Sequence, residues 1–564
     1  MARRRRYQNQ NRNARSKAQN DRVFERTRRK RLQYRVRNIL LLATFLGLFA
    51  LGFNRVIAYE DGTTRRTFKV EGTIPVPVLE MHPAHGETAL VAVVAHGFSG
   101  SKDLMTDFGV ELARAGVTAY LFDFPGHGES PVPLASNTSS DRNGPDNLTA
   151  LDEVVNYVRS HNTATHSPKF ILLGHSMGST AVGDYVMAHA NESDLISTIL
   201  ISPVGNEHPT RTQPKNLLML VGQNDIPATI TNSMRLLQLG CGLSATQSRP
   251  ASTQSMECGN PADGTGRRAV VLPNLNHITI LNASGTFQEM LNWLHRTYPQ
   301  AVNTSHMQSD VRLAWLLLGV VGILLAMFPL CSIILDMFDI NGIPRPFRGQ
   351  DVLFFALCAL VGIAVAIGIQ YLWRPFGFVH VLLGDYVTGY FFFTALVTAL
   401  IILAVRRMLP IPRFHQAIVQ ILIGILLALF LYFTLGQLAT FAWQRFTLSL
   451  PRLLVFALIS VLIWPLFLLD EGISRGSQEY GFFRGVLTSV AFKALLVTGL
   501  IVAISLTPGL GFLSIVLPVL VLMFVLLIAF GTQLYVSGKA AIAAATLSAL
   551  VVAWSMAASF PITS

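Results

Sequence analysis

The sequence predicts two structural parts: an α/β domain with a mostly parallel sheet and helices on both faces, and an all-α polytopic transmembrane bundle. Only 13% of the 564 residues are charged, against about 25% in ordinary soluble proteins. Long apolar runs that match a bilayer crossing follow residue 310. Between residues 60 and 305, short β-rich runs alternate with helical patterns, which is typical of a parallel sheet.

The excess positive charge of the chain lies in one tail. The net charge is +12, and residues 1–37 hold 15 Lys or Arg against Asp21 and Glu25. The rest of the chain is nearly neutral, which disfavours a nucleic-acid partner. Because the tail directly precedes an apolar segment, we interpret residues 1–37 as a basic cytoplasmic tail facing the lipid bilayer.

Residues 38–58 are predicted to form a transmembrane signal anchor. The apolar run that starts at Ile39 reaches membrane length only if it extends past Asn54 and Arg55 to Ala58. A cleaved signal peptide is the alternative, although a basic region of 37 residues is long for one. Either way, the α/β domain that follows is delivered across the membrane.

Eight further apolar spans are predicted in a transmembrane region over residues 311–560, which makes about nine spans in this integral, multi-pass protein. They cover residues 313–335, 352–373, 381–405, 416–438, 452–469, 486–507, 510–531 and 540–560. With a cytoplasmic amino terminus, the inner connections contain Arg345, Arg348, Arg406, Arg407, Arg413, Arg475, Arg484 and Lys539. The outer connections contain only Arg374, Arg445 and Arg452. This asymmetry predicts an extracytoplasmic α/β domain and carboxyl terminus.

The α/β domain is predicted to span residues 60–305. Its strands are expected at Arg66–Glu71, Val76–Glu80, Ala92–Ala95, Thr118–Phe122, Phe170–Leu173, Thr198–Ile201, Leu217–Val221 and Ala269–Leu272. Its helices are expected at Leu104–Ala115, Asn147–His161 and Gly178–Ala190. This alternation places the carboxyl ends of the parallel strands along one edge, where such sheets gather their functional groups.

A Gly-x-Ser-x-Gly motif, Gly174-His175-Ser176-Met177-Gly178, follows one predicted strand and precedes a helix. This context predicts a nucleophile elbow, a strained turn that exposes the Ser176 hydroxyl. The amide of Met177 would then face the site where an oxyanion forms. The motif alone arises by chance, so it requires partners elsewhere in the chain.

Candidate partners follow in the order serine, acid, histidine. Asp225 comes after the strand Leu217–Val221, and His277 comes after the strand Ala269–Leu272. A serine hydroxyl is a poor nucleophile at neutral pH. We therefore expect His277 to take its proton and Asp225 to orient the imidazole.

A second oxyanion donor is expected upstream of the elbow. His96-Gly97-Phe98 follows the strand Ala92–Ala95, and the amide of Phe98 would supply this donor. A glycine turn without chemical function is the alternative interpretation.

Residues 60–305 resemble an α/β hydrolase of the monoacylglycerol lipase, lysophospholipase and serine aminopeptidase-like group. The resemblance is carried by Ala95–Phe98, by Asp123-Phe124-Pro125-Gly126-His127-Gly128-Glu129-Ser130 and by Gly174–Gly178. It implies a structural role for Asp123, and we expect His127 and His175 to be structural or pocket-lining residues. Ser179 departs from the glycine that is frequent in this group. His96, Gly97, His175, Gly174 and Gly178 are expected to line or support the pocket.

The predicted function is a membrane-anchored serine hydrolase that cleaves carboxylic esters, of lipids or other acyl compounds, through an acyl-enzyme. A peptidase of the same fold is one alternative, and a transporter or assembly factor with a non-catalytic outer domain is another. No cofactor is expected, and no histidine pair has the spacing of a metal site. Tethering at Ala58 and Val311 favours an amphiphilic substrate. The sequence does not predict an oligomeric state.

The lid over the pocket is predicted to be missing, because the connection between Ile201 and Leu217 is too short for a helical cap. The sizeable insertion near the site is Leu239–Arg268, which contains Cys241 and Cys258. A disulfide between these cysteines is possible in an oxidising compartment. The insertion is expected either to cover the pocket or to form a solvated surface loop.

Charged residues within the spans are few. Asp385 and Lys493 are expected near opposite membrane interfaces, where they can snorkel or be hydrated. Transport is disfavoured, because carriers usually place more polar residues at the midplane.

Overall fold

The structure, a computed structural model, describes residues 2–85, 89–135, 144–161, 168–243, 255–304, 311–338, 340, 346–406, 409 and 416–564. Arg345, Arg407 and Arg413, which contribute to the predicted charge asymmetry, lie outside the described residues.

A nine-stranded sheet forms the centre of the α/β domain. Its strands are β1 Thr63–Val70, β2 Val76–Pro83, β3 Leu90–Ala95, β4 Thr118–Phe122, β5 Lys169–His175, β6 Leu195–Ile201, β7 Leu217–Gly222, β8 Met256–Cys258 and β9 Arg267–Leu272. The strand order is β1-β2-β4-β3-β5-β6-β7-β9-β8. Pairing is parallel from β4 to β9, and the pairs β1–β2, β2–β4 and β8–β9 are antiparallel. The mostly parallel sheet is confirmed, with the short edge strand β8 as an addition.

Helices cover both faces of the sheet, as predicted. They are α2 Thr106–Arg114, α3 Gly144–His161, α4 Met177–Ala188, α5 Pro227–Gly240 and α6 Ser284–Thr297. One core contains Phe108 and Leu291, and the core on the opposite face contains Val155, Val182 and Leu236. The fully buried strand β3 is apolar along its length because both faces of the sheet are covered.

Among the described residues, nine helices are long and apolar enough to cross a membrane, which supports a multi-pass membrane protein. Their bounds are α1 Ala2–Ala58, α7 Val311–Met337, α8 Gly349–Leu372, α9 Gly384–Arg406, α10 Ala417–Leu431, α11 Gln437–Ala442, α12 Leu450–Gln478, α13 Phe482–Leu506, α14 Leu513–Gly538 and α15 Ala541–Ser559. A π-helical turn, Tyr432–Gly436, joins α10 and α11 into one span. The all-helical bundle is thus confirmed.

Two expectations about charged residues in the bundle are wrong. Helix α12 continues past residue 469 to Gln478, so Arg475 is buried within a helix and does not lie in a connection. Lys493 is 3% exposed and does not snorkel. The reason is pairing: the Arg475 guanidinium donates to Glu471 at 2.7 Å, and the Lys493 ammonium donates to Asp470 at 2.5 Å.

The carboxyl terminus lies against the α/β domain. The Leu134 amide donates to the Ile562 carbonyl at 2.8 Å, and the Ile562 amide donates to the Gly126 carbonyl at 2.9 Å. The buried guanidinium of Arg452, on α12, donates to the carbonyl oxygens of Gly126 and Gly128 at 2.7 and 3.0 Å. The domain and the carboxyl terminus are therefore on the same side of the bundle.

Candidate active site

Ser176 lies between the last residue of β5 and the first residue of α4, in the turn that the motif predicts. Its φ is +52°, a left-handed conformation that is strained for a side chain other than glycine. A Cβ at Gly174 would lie 2.2 Å from the Gly178 carbonyl oxygen, and a Cβ at Gly178 would lie 2.6 Å from the Ala95 carbonyl oxygen. Both glycines are therefore required for the close packing of this turn.

Ser176, His277 and Asp225 form a continuous hydrogen-bonded chain. The Ser176 Oγ lies 3.0 Å from the His277 Nε2, and the His277 Nδ1 lies 2.8 Å from the Asp225 Oδ1. Burial raises the pKa of Asp225, but the hydrogen bond and electrostatic attraction of His277, with the hydrogen bonds from Ser202 and the Ile226 amide, together hold that pKa below its ordinary value. Asp225 is thus a carboxylate that accepts a hydrogen bond from the Nδ1–H group of His277, which leaves Nε2 free to accept the serine proton.

Ser202 is a supporting residue that the sequence analysis did not identify. It follows β6 with a φ of +48°, and its hydroxyl donates to the Asp225 Oδ2 at 2.5 Å. The Ile226 amide donates to the Asp225 Oδ1 at 2.6 Å. The position of Ser202 at the carboxyl end of β6, the strand beside β7, is the sequence signal that could have identified this residue.

The side chain of His175 contacts the loop that carries His277, which is the supporting role expected for it. The His175 Nε2 lies 3.0 Å from the His277 carbonyl oxygen, so the Nε2–H group donates to that carbonyl. Burial lowers the pKa of His175 to about 3, which keeps the ring neutral. A Cβ at Gly97 would lie 2.7 Å from the His175 Nδ1, so only glycine fits beside this ring.

The amides of Phe98 and Met177 stay the predicted oxyanion donors, and hydrogen bonds around His96 fix the loop that carries Phe98. The Gly97 carbonyl accepts from the Gly100 amide at 2.9 Å and lies 2.8 Å from the His96 Nδ1. The His96 Nε2 accepts from the Phe124 amide at 3.1 Å, which leaves the proton on Nδ1.

The direction of the Phe98 amide follows from this hydrogen bonding. In a trans peptide the N–H group points opposite to the carbonyl, so the Phe98 amide points away from the His96 ring. Met177 is the first residue of α4, and its amide belongs to those that a helix leaves unpaired.

Asp123 is a structural residue, as the resemblance implies. Its carboxylate accepts from the Lys102 amide and the Lys102 ammonium, both at 2.7 Å, and from the Glu129 amide at 2.9 Å. Burial opposes ionisation, but the charge of Lys102 holds the pKa of Asp123 below its ordinary value. The Nδ1–H of His127 donates to the Pro125 carbonyl at 2.8 Å, which fixes the same loop.

Ser179, the departure from the glycine pattern, also has a clear contact. Its hydroxyl donates to the Ser176 carbonyl oxygen at 2.5 Å, and the side chain is fully buried. The substitution therefore stabilises the carboxyl side of the elbow without reaching the pocket.

A cavity extends from Ser176 and His277 into the membrane region. Its walls include Phe98 and Leu104 from the α/β domain. Most of the other wall residues come from the helical region, from α9, the connection after α11, α13, α14 with Phe512 just before it, and α15. They include Phe391, Trp443, Leu500, Phe512, Leu517, Leu520, Met523, Val552 and Met556. Among the residues that the structure describes, none of those lining the cavity is Asp, Glu, Lys or Arg.

The site is therefore covered, and the cover comes from the helical bundle. The Phe512 ring, just before α14, contacts the Phe98 ring with centroids 4.6 Å apart. The Gln444 side chain donates to the Ser99 carbonyl at 2.9 Å. The prediction of an uncovered site is wrong, because the cover comes from helices outside the α/β domain.

The insertion Leu239–Arg268 contributes nothing to this cover within its described part. Cys241 and Cys258 form a disulfide with their Cα atoms 6.0 Å apart. None of the described insertion residues lines the cavity. The surface-loop interpretation is favoured over the pocket-cover interpretation.

No group of three or more His, Cys, Asp or Glu residues in the described part of the chain could hold a metal ion. The groups assembled at Ser176 can instead activate a hydroxyl and stabilise an oxyanion without one.

Comparisons with known proteins address the α/β domain. Residues 86–249 match the sequence model of a family described as serine aminopeptidase, S33. Among curated protein sequences, none matches the chain significantly.

Similar solved structures include a CIB-like hydrolase from Thermoplasma acidophilum, at 14% identity and a TM-score of 0.31, covering 41% of this chain and 99% of that one. A hyperthermophilic esterase from Pyrobaculum calidifontis is 13% identical, with a TM-score of 0.31, and covers 48% of this chain and 94% of its own. The carboxylesterase CesB from Bacillus subtilis is 11% identical, with a TM-score of 0.29, and covers 44% of this chain and 96% of its own. The sheet topology and the family match together show that the domain has the fold of α/β hydrolases and resembles the serine aminopeptidase-like group, and that it is joined to an all-helical region with nine apolar candidate spans among the described residues.

Proposed function

We propose that the protein is a membrane-anchored serine hydrolase that cleaves carboxylic esters through an acyl-enzyme. The observation that carries this proposal is the hydrogen-bonded chain from Ser176 through His277 to Asp225, with distances of 3.0 and 2.8 Å. The strained φ of Ser176 supports it, because acyl transfer needs an exposed nucleophile. The amides of Phe98 and of Met177, the first residue of α4, are the proposed oxyanion donors.

The reaction follows from these positions. The Ser176 Oγ attacks the acyl carbon while the His277 Nε2 takes the hydroxyl proton. The amides of Phe98 and Met177 stabilise the oxyanion of the tetrahedral intermediate. His277 then donates the proton to the leaving alcohol. A water molecule, deprotonated by His277, releases the acid and restores Ser176.

An ester substrate is favoured over an aminopeptidase substrate. A free α-ammonium group needs an acidic partner, because burying an unpaired charge is costly. The described cavity-lining residues include no carboxylate. An apolar acyl group needs no such partner and fits the walls that Phe98, Phe512 and Leu513 provide.

Labelling with a fluorophosphonate, which reacts with activated serines, tests the proposal. We expect the full-length protein in membranes to be labelled and Ser176→Ala to lose the label and the hydrolysis of short esters. Ser160→Ala, at an exposed serine on α3, is the matched control and should be labelled like the wild type. Equal labelling of wild type and Ser176→Ala would contradict the proposal.

The proposal also places the hydrolase domain outside the cytoplasm. The disulfide between Cys241 and Cys258 supports this, since disulfides persist in oxidising compartments. Ser193→Cys introduces a thiol at an exposed position of the domain. We expect a membrane-impermeant maleimide to label this variant in intact cells. Labelling only after permeabilisation would contradict the proposed orientation.

A further inference from the structure

We propose that the cavity between the membrane helices is an acyl-chain pocket, and that the substrate is a long-chain carboxylic ester that enters from the bilayer past α14. This inference rests on the proposed function and names its substrate class. In the complex, the scissile carbonyl lies at Ser176, the acyl chain extends between α9, α13, α14 and α15, and the alcohol part stays at the polar end.

The cavity wall is mostly apolar on the side away from Ser176. Between the helices it is lined by side chains such as Phe391, Leu500, Leu520 and Val552. The hydroxyl of Ser555, also in the wall, donates to the carbonyl of Val552 within its own helix at 2.8 Å. Such a wall accepts methylene groups and offers no partner to a charged or strongly polar acyl group.

The depth of the cavity also fits a long acyl chain. Leu513 and Met523, both in the wall, are ten residues apart on α14. At 1.5 Å per residue this separation is about 15 Å along the helix, or about half of the ~30 Å hydrocarbon core of a bilayer. A pocket of this length fits an extended chain and exceeds what a short soluble ester would fill.

Helix α14 forms a thin wall on one side of the cavity. Val519 lines the cavity and is 55% exposed, whereas Leu522 on the same helix is 61% exposed and does not line the cavity. Pro518 lies inside the helix and has no amide to bond to the carbonyl four residues earlier, which weakens α14 at this point. Gly511 is exposed and has open space where a Cβ would lie, so no side chain holds this point of the connection before α14. This half of α14 can therefore move aside to admit a lipid chain.

The polar end of the cavity supports the same direction of binding. Ser176 and His277 lie at the end near the domain, with Gln444 beside them. A lipid that inserts its chain between α14 and α15 brings its ester group to these residues without leaving the membrane completely. The chain stays in an apolar medium throughout, so the cost of exposing it to water is avoided.

A wild-type experiment tests where the chain lies. The probe is a fluorophosphonate with a long alkyl chain that carries a diazirine at its end, applied to the full-length protein in lipid nanodiscs. After photolysis, we expect crosslinks to peptides that contain Met523 or Val552–Met556. Crosslinks confined to the surface of the α/β domain would overturn the pocket assignment.

The outcome separates this inference from the proposed function. A short-chain fluorophosphonate that fails to label Ser176 would contradict the proposed function itself. Labelling by the short probe, together with a long probe that crosslinks elsewhere, would leave the hydrolase intact and overturn only the pocket.

A pair of tryptophan variants tests the pocket through substrate selection. For p-nitrophenyl esters delivered as monomers from water, each methylene that enters the pocket should raise kcat/KM about fourfold. Leu520→Trp fills the cavity and should lower the ratio of long-chain to short-chain kcat/KM at least tenfold. Leu522→Trp, at a position on the same helix that is 61% exposed to lipid, should change this ratio less than twofold.

The variants also have a clear contrary result. If Leu520→Trp is labelled by the short probe and keeps the wild-type chain-length ratio, the cavity does not hold the chain. If Leu520→Trp fails to fold, the crosslinking result on the wild-type protein decides the question.

Discussion

Helix α14 has two halves that differ in packing and in what they contact. The half nearer the α/β domain, Leu513–Met523, is called the outer half; in it only Leu513 is buried, and most of the other residues line the cavity or are exposed. The half farther from the domain, from Phe524 to Gly538, is called the inner half, and nine of its residues are buried. The same helix is thus loosely packed beside the chemistry and tightly packed away from it.

The inner half is also fixed by polar contacts with neighbouring helices. The Thr532 hydroxyl accepts from Arg475 on α12 at 2.9 Å, and the Tyr535 hydroxyl donates to Glu479 at 2.7 Å. Arg475 in turn pairs with Glu471. Charged groups are costly in a bilayer unless paired, so these contacts hold the helices in one arrangement.

The two halves of α14 therefore have different roles. A well-packed end holds its position, whereas regions with few buried contacts open at low cost in free energy. The inner end therefore anchors α14, and the outer end is free to adapt to what lies in the cavity. Variants at the outer end should change catalysis, and variants at the inner end should change stability.

The largest effect is expected in the α/β domain, at the chemistry beside the outer end of α14, from Asp225→Asn. The amide cannot hold His277 in the tautomer that accepts the serine proton, so kcat should fall by about 10⁴-fold. The thermal unfolding midpoint should change little, since the side chain keeps its shape. Asp184→Asn, on α4, is the matched control and should retain wild-type ester hydrolysis. A small loss of kcat in Asp225→Asn would contradict the role of Asp225.

The core of this site could be predicted because its residues belong to local patterns. The elbow around Ser176 needs glycines at fixed positions, and Asp225 and His277 follow strands whose apolar runs are visible in the sequence. The carboxyl ends of parallel strands meet at one edge, so strand order alone brings such residues near each other. The positions of these three residues depend on the sheet and not on distant contacts.

The cover of the site could not be predicted, because it depends on contacts between distant parts of the chain. Phe98 meets Phe512 across more than 400 residues. Hydropathy shows that α14 crosses the membrane but not which of its sides faces Ser176. The same limit applies to α12, whose charges at Asp470 and Glu471 predict a helix end unless their partners Lys493 and Arg475 are known.

The next effect is expected at the inner end, from Lys493→Met. This change leaves Asp470 buried without its cation and should lower the free energy of unfolding by about 3–5 kcal/mol. Chemical denaturation in mild detergent measures this change.

Two further variants control for Lys493→Met. Lys539→Met removes a surface ion pair with Glu479 and should cost less than about 1 kcal/mol. Lys493→Met combined with Asp470→Leu should recover most of the stability, because no unpaired charge remains. Equal losses in Lys493→Met and Lys539→Met would contradict the anchoring role of the inner end.

A pair of leucines on α14 compares the two halves directly. Leu527 is 2% exposed in the inner half, and Leu527→Ala should cost about 2–4 kcal/mol because it creates a new cavity. Leu520 already faces an open cavity, so Leu520→Ala should cost only about 1 kcal/mol. Thermal unfolding of both variants checks this difference. Similar costs for the two variants would show that the halves of α14 are packed alike.

The smallest effect concerns a buried carboxyl group outside the bundle that contrasts with the paired Asp470. Glu207 is 7% exposed, and neither of its carboxyl oxygens has a hydrogen-bond partner among the residues that the structure describes. Burial raises the pKa of Glu207 to about 7, and the charge of Asp184 acts in the same direction.

Because the folded protein binds this proton more tightly than the unfolded chain does, the stabilisation is complete below pH 4.5 and is lost as the pH rises to about 7. Between pH 5 and pH 8 the loss should be about 2 kcal/mol. Glu207→Gln has no such proton to lose, so its free energy of unfolding should fall less than that of the wild type over this range. Parallel pH profiles of the two proteins would show that Glu207 is ionised in the folded state, and that a buried carboxylate here does not need the pairing seen at Asp470.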